Sequence, residues 1–145
     1  MLVTELIRRG ALWHGDRIAI LFGDSAMSFR QVDRLSNRIA HVYAGFGLAK
    51  GDPLALLLDN GLHSVPCDFG GVKAGLRRTP LNGRLSCDEH LQMLALAGIE
   101  TLVYGASQLE RAAEGEVSRV KGVAIFIAQV ELANQLVYLN SDDLV

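Results

Sequence analysis

Two cysteines in 145 residues are too few for a disulfide framework. Cys67 and Cys87 stand far apart in sequence, each inside a segment with a helical pattern. Both are expected as thiols, and a reducing, cytoplasmic setting is expected with them. Long apolar runs are missing as well. None approaches the roughly 20 residues that cross a bilayer, and the N-terminus shows no basic segment followed by a hydrophobic stretch and a small-residue cleavage site. Surplus charge of one sign is absent: 14 basic against 16 acidic residues give a formal net charge of -2. The eleven arginines are dispersed along the chain, so the electrostatic footprint of nucleic-acid binding is not there. No internal repeat, low-complexity tract or long linker appears.

Chemistry-bearing patterns are equally scarce. A glycine-rich loop that cradles phosphates between strand and helix is lacking, as are the dinucleotide fingerprint and a nucleophile-elbow serine. Phe69-Gly70-Gly71-Val72-Lys73 falls inside a predicted helix and reads as packing rather than phosphate binding. Cys87 and His90 sit three apart on a helix, yet no second ligand pair lies at a suitable spacing, so they read as a solvated helix start and no metal site is expected. His14, His41 and His63 are isolated and lack a positioned partner. No catalytic residue is assigned.

What the chain does have is apolar content. Hydrophobic residues reach 50% before glycine is counted, whereas an ordinary domain stands at roughly 45–50% with glycine included. Either the core is unusually complete, or an apolar face meets something outside these residues. The length suits one domain, residues 1–145.

The stretch from Gly51 to Asn82 organises the rest. Leu54 to Leu58 is a continuous apolar run of strand length, as for a strand buried on both faces. A helix-length segment and a second strand from Leu76 to Pro80 follow, which is a parallel crossover unit. The fold class is therefore α/β. Upstream, Thr4 is placed to cap a first helix ending near His14-Gly15, and Gly23-Asp24-Ser25-Ala26 turns a β-hairpin between Arg17–Phe22 and Met27–Phe29. Ser28 with Gln31 forms a capping box for a helix through Val32, Leu35, Ile39, Val42, Tyr43 and Phe46. In the crossover helix Pro66 is tolerable only in the first turn, with Ser64 as cap. Gly70, Gly71 and Gly75 lower its helicity and suggest close approach of helix to sheet.

Downstream, Ser86 with Glu89 caps a helix that stops at Gly98. Thr101–Tyr104 and Val123–Ile127 read as strands and Gln108–Glu116 as a short helix, while residues 129–145 fit helix or strand equally. Asp59 and Asn60 occupy the carboxyl end of a strand, where open α/β sheets bind ligands. Their residue types read more simply as turning the chain and capping the next helix. Arg77 and Arg78 require an edge or partly exposed strand, because an unpaired buried charge is costly.

Met27-Ser28-Phe29-Arg30-Gln31-Val32, Ser36-Asn37-Arg38-Ile39-Ala40, Gly51-Asp52-Pro53-Leu54-Ala55-Leu56, Lys73-Ala74-Gly75 and Pro80-Leu81-Asn82 occur in one order. Together they resemble the N-terminal portion of the adenylate-forming, AMP-binding acyl-CoA synthetases. Pro-Leu-Asn is more similar to the acyl-CoA ligases, long-chain fatty-acid CoA ligases among them, than to peptide-synthetase adenylation modules. The likeness extends more weakly from Leu2 to about Tyr104. It departs at Pro53, at Pro66-Cys67 and at Leu76-Arg77-Arg78-Thr79.

The resemblance implies a parallel-sheet, three-layer fragment with an N-terminal hairpin, part of the large N-terminal domain of such enzymes. It implies ATP, magnesium and CoA for the full-length relative, and a carboxylate adenylated before thioester formation. The phosphate loop, ribose-binding aspartate and catalytic lysine of the family come later, and Ser141-Asp142-Asp143-Leu144-Val145 resembles what precedes that loop. The resemblance carries one residue toward a ligand, Arg111 toward the CoA nucleotide. The fragment is then expected to bind none of these cofactors alone and to be inactive alone. Its partner would be the remainder of the ligase chain, with self-association through exposed apolar surface when isolated. The alternative reading is a stand-alone, non-catalytic α/β binding module.

Overall fold

Capping boxes and apolar period place the helices where the side chains dictate. In the computed structural model, residues 2–105, 108 and 123–127 are described. Their contacts fall into two compact units, Met1–Asp52 with Asn60–Arg77, and Pro53–Asp59 with Arg78–Val145.

The first unit holds helices α1 (Val3–His14), α2 (Phe29–Gly45) and α3 (Ser64–Lys73), with the hairpin β1 (Ile18–Phe22) and β2 (Ser25–Ser28). Thr4 does not cap α1: Leu2 takes the cap position, without a side-chain cap bond. Ile7 and Ala11, one turn apart, are buried, whereas Leu6 and Leu12 are 48% and 73% exposed. Each of the exposed leucines is one residue round the helix from the buried row, about 100° away. The hairpin is antiparallel and its turn is tighter than expected, only Gly23-Asp24. Helix α2 starts at the predicted capping box, Ser28 Oγ accepting from the Gln31 N–H and Gln31 Oε1 from the Ser28 N–H. Its buried row is Val32, Leu35, Ser36, Ile39 and Tyr43.

Helix α3 admits Pro66 in its first turn, where the missing N–H has no helical acceptor in any case. His63 takes the cap position; Ser64 is the first helical residue, and its hydroxyl donates to the Gly61 carbonyl at 3.0 Å. The helical glycine Gly70 serves contact between helices: a β-carbon there would stand 2.6 Å from Ile39 Cγ2 and 3.3 Å from the Ser36 carbonyl oxygen. Gly75 lies past the end of α3 rather than within it. Lys73, in the last turn, ties α3 to α2. Its ammonium is 2.7 Å from Asp33 Oδ1, 2.7 Å from Asn37 Oδ1 and 3.0 Å from the Asp33 carbonyl.

The second unit is built on a four-stranded sheet in the order β4 (Arg77–Pro80), β3 (Pro53–Leu57), β5 (Thr101–Gly105), β6 (Val123–Ile127), with helix α4 (Cys87–Ala97). β3, β5 and β6 run parallel. Ala55 pairs with Leu102 and Leu57 with Tyr104, so period-two alternation puts all four on one face. They form one buried cluster with Leu81, Leu94 and Ile99. Leu54, Leu56 and Val103, on the alternate face, are buried too, as a continuous apolar run requires. β4 is an edge strand with Arg77 exposed, which is where its arginines can be carried without a desolvation penalty. The predicted Ser86–Glu89 capping box opens α4, and Gly98, in the left-handed conformation, ends it.

Candidate functional site

Parallel strands send their carboxyl ends to one edge of the sheet, and the loops leaving that edge are where open α/β folds bind ligands. Three segments leave it in the second unit: Asp59 after β3, Asn82–Ser86 after β4, and Gln108 after β5. They are cross-tied. Gln108 Nε2 donates to Asp59 Oδ1 at 3.0 Å, and Gln108 is buried. Gly83 lies against this pair, its missing β-carbon 3.3 Å from Gln108 Nε2 and 3.5 Å from Asp59 Oδ1.

The loop after β4 is shaped by Pro80-Leu81-Asn82. Buried Leu81 donates its N–H to the Leu56 carbonyl at 2.8 Å, which anchors the strand end. Asn82 Oδ1 then accepts from the Arg84 N–H at 3.0 Å, an Asx turn. The Asn82 carbonyl receives the Leu85 N–H at 3.1 Å and, at 2.8 Å, Nε2 of His90. Because a carbonyl only accepts, the His90 proton at this contact sits on Nε2.

The sequence-level candidates sort against this geometry. Asp59 sits at the carboxyl edge, and its carboxylate meets Gln108 rather than capping α3, whose cap position is His63. His90 is buried and engaged with Asn82 rather than lying on a solvated helix start. Among the described residues no group of three His, Cys, Asp or Glu side chains could hold a metal ion. Phe69–Lys73 lies inside α3 as expected, and Lys73 is committed to Asp33 and Asn37. His14 and His41 are exposed, and burial lowers the pKa of His63. Burial pushes the Cys67 thiol up to about 12, so it is no nucleophile. Arg111, the Gln108–Glu116 helix beyond Gln108 and residues 129–145 lie outside the described residues.

The described side chains therefore position loops at the carboxyl edge. Among the described residues there is no carboxylate set for magnesium, and no step through ATP, magnesium or CoA is assigned to them. The Asp59–Gln108 and Lys73–Asp33–Asn37 contacts escaped sequence reasoning. The first joins residues 49 apart, and the second joins residues 40 and 36 apart. No local pattern marks such pairs.

Comparison with known proteins supplies what the local geometry leaves open. The sequence model of the family described as AMP-binding enzyme matches residues 7–142. The long-chain-fatty-acid--CoA ligase FadD13 of Mycobacterium tuberculosis is 36% identical over 83 residues, which are 57% of this chain and 16% of that protein. A crotonobetaine/carnitine--CoA ligase of Salmonella paratyphi B is 34% identical over 98 residues, 64% of this chain and 19% of that protein. The chain thus spans less than a fifth of these relatives' length. The crystal structure of the N-terminal domain of FACL13 from Mycobacterium tuberculosis superposes with a TM-score of 0.77 at 27% identity, over 91% of this chain and 34% of that one. No helix among the described residues is long and apolar enough to cross a membrane. The chain belongs to the AMP-binding enzyme family and carries the N-terminal part of the fold found in its acyl-CoA ligases.

Proposed function

We propose that these 145 residues act as one N-terminal subdomain of an ATP-dependent acyl-CoA ligase, cytoplasmic, whose acid is fatty or otherwise hydrophobic. In the proposed reaction a carboxylate oxygen attacks the α-phosphate of ATP and pyrophosphate leaves; the CoA thiol then attacks the acyl carbon and AMP leaves. Stabilising the phosphoryl charge is the main demand of that chemistry. The groups that meet it are proposed to lie in the remainder of the ligase, which is the partner of this chain. Arg111 is proposed to contact the CoA nucleotide, since a guanidinium suits phosphate. Alone, the chain is inactive.

The observation that carries this reading is the family match across residues 7–142 together with relatives that join acids to CoA. It is supported by what the motif residues do. Asn37 and Lys73 meet between α2 and α3, the Gly51 N–H donates to the Gly75 carbonyl at 2.9 Å, and Leu81 anchors β4. The motifs by which the sequence resembles the family are its structural joints. Exposed Trp13, Ile18, Leu21 and Phe22 in the first unit support an apolar face covered by further chain, or by a second copy when the fragment is isolated.

The test joins residues 1–145 to the later part of a long-chain fatty-acyl-CoA ligase and measures thioester formation with fatty, aryl and short-chain acids. Thioester formed preferentially from fatty acids supports the reading. A folded chimera that forms none with any acid favours a stand-alone binding module instead.

A further inference from the structure

We propose that the groove between α1 and α2 binds a phosphate-bearing anion with an apolar flank, independently of the ligase reading. The groove is a depression of about 270 Å³ lined by Arg8, Ala11, Leu12, Arg30, Asp33 and Arg34. A second depression of the same size shares Arg8 and Asp33 with it and reaches Lys73. Helical spacing builds this lining: Arg30 and Arg34 are one turn apart on α2, and Arg8 and Leu12 are one turn apart on α1.

Charge accounting leaves the groove positive. Asp33, its one carboxylate, is neutralised by Lys73 at 2.7 Å, with side-chain exposures of 20% and 12%. Arg8 meets Glu5 at 3.5 Å and Arg30 meets Asp16 at 3.4 Å, both exposed pairs with long contacts. Such pairs contribute little and yield readily to a stronger anion. Arg34 has no ion pair or side-chain hydrogen bond among the described residues. Arg8, Arg30 and Arg34 thus line one groove whose single carboxylate is taken by Lys73, and Arg34 has no carboxylate of its own among the described residues.

Guanidinium forks match phosphate oxygens two at a time, which a spherical anion or a single carboxylate exploits less well. Buried Ala11 and the largely exposed Leu12 add an apolar floor and wall beside them. A phosphate on an apolar body uses both features. It can come as a soluble phosphorylated amphiphile or as the headgroup of an acidic lipid.

Binding of the whole chain is measured for inorganic phosphate, for dodecyl phosphate below its micellar concentration, and for phosphatidylcholine vesicles with and without phosphatidic acid. Dodecyl phosphate or phosphatidic-acid vesicles should bind saturably and more tightly than inorganic phosphate. Arg34→Gln should weaken that binding about tenfold, the effect of losing a charge-assisted hydrogen bond. Arg84→Gln, an exposed change in the loop after β4, should leave it unaltered. Binding of the soluble amphiphile identifies a free ligand, and binding of acidic vesicles alone identifies a headgroup. Either supports the proposal. Absence of binding, equal affinity for inorganic and dodecyl phosphate, or an equal loss in both variants overturns it. Arg34 is exposed, so circular dichroism of its variant should match the parent chain.

Discussion

Gly70→Ala should destabilise the protein even though alanine is the better helix former. In a helix interior the exchange alone would stabilise by about 1 kcal/mol. Against this, the new methyl carbon would lie 2.6 Å from Ile39 Cγ2 and 2.9 Å from Ile39 Cβ. Ordinary carbon contacts are about 3.5–4.0 Å, so α2 and α3 must part by about 1 Å. Ile39 cannot turn aside, because a β-branched side chain has one preferred rotamer in a helix, and the Ser36 carbonyl at 3.3 Å belongs to the helix backbone. Overpacking of this kind costs about 1–3 kcal/mol, and a contact this close falls in the upper half of that range. The net loss is then about 1–2 kcal/mol, read as a lower urea midpoint by circular dichroism. Ile39→Ala removes Cγ2 and itself costs about 2–5 kcal/mol. In the double variant the two losses should sum to less, by about 1 kcal/mol or more. A neutral or stabilising Gly70→Ala, or strict additivity with Ile39→Ala, would refute the reasoning.

Three further outcomes follow from the same contacts. Lys73→Met leaves the Asp33 carboxylate, 20% exposed, without its cation, and should cost up to about 3 kcal/mol in urea unfolding, with most of it regained in Lys73→Met/Asp33→Leu; equal losses in the single and double variants would show that the pair is not the cause. Ellman's reagent at about pH 8 should label Cys87, which is partly exposed, well before Cys67, which is buried and whose thiol is pushed up to about 12; two equally fast thiols would contradict the packing of α3. Hydrogen bonds from the Ser86 N–H and hydroxyl hold the Glu89 carboxyl below its usual range. A carboxylate with a lowered native pKa stabilises above its unfolded value and loses that contribution as pH falls through the native one. The stability advantage of the parent chain over Glu89→Gln should therefore be present at about pH 7 and gone at about pH 2; an advantage that persists in acid would be wrong for this cap.

Local chemistry made most of the fold legible. Both capping boxes announced their helices because donor and acceptor sit three residues apart, and the run from Leu54 announced a buried strand because every residue in it is apolar. Where one cap must be chosen among neighbours, local chemistry does not decide: Leu2 rather than Thr4 takes the cap position of α1, and His63 rather than Ser64 that of α3. The missing side chain at Gly70 signals a close approach, and the approach is to Ile39 on α2, because sequence shows that a side chain is missing and not what fills the space. The carboxyl-edge position of Asp59 could be inferred, whereas its bond to Gln108 and the His90–Asn82 contact depend on how loops meet in space. The ion pair of Lys73 with Asp33 was hidden for the same reason.

Acid-dependent exchange of pyrophosphate into ATP tests the central claim most directly. Measured with magnesium and a fatty acid, the 145 residues alone should show no exchange, and the same residues joined to the later part of a fatty-acyl-CoA ligase should show it. Exchange by the chain alone would contradict the placement of the adenylation chemistry outside it. A folded chimera without exchange would contradict its role as a ligase subdomain.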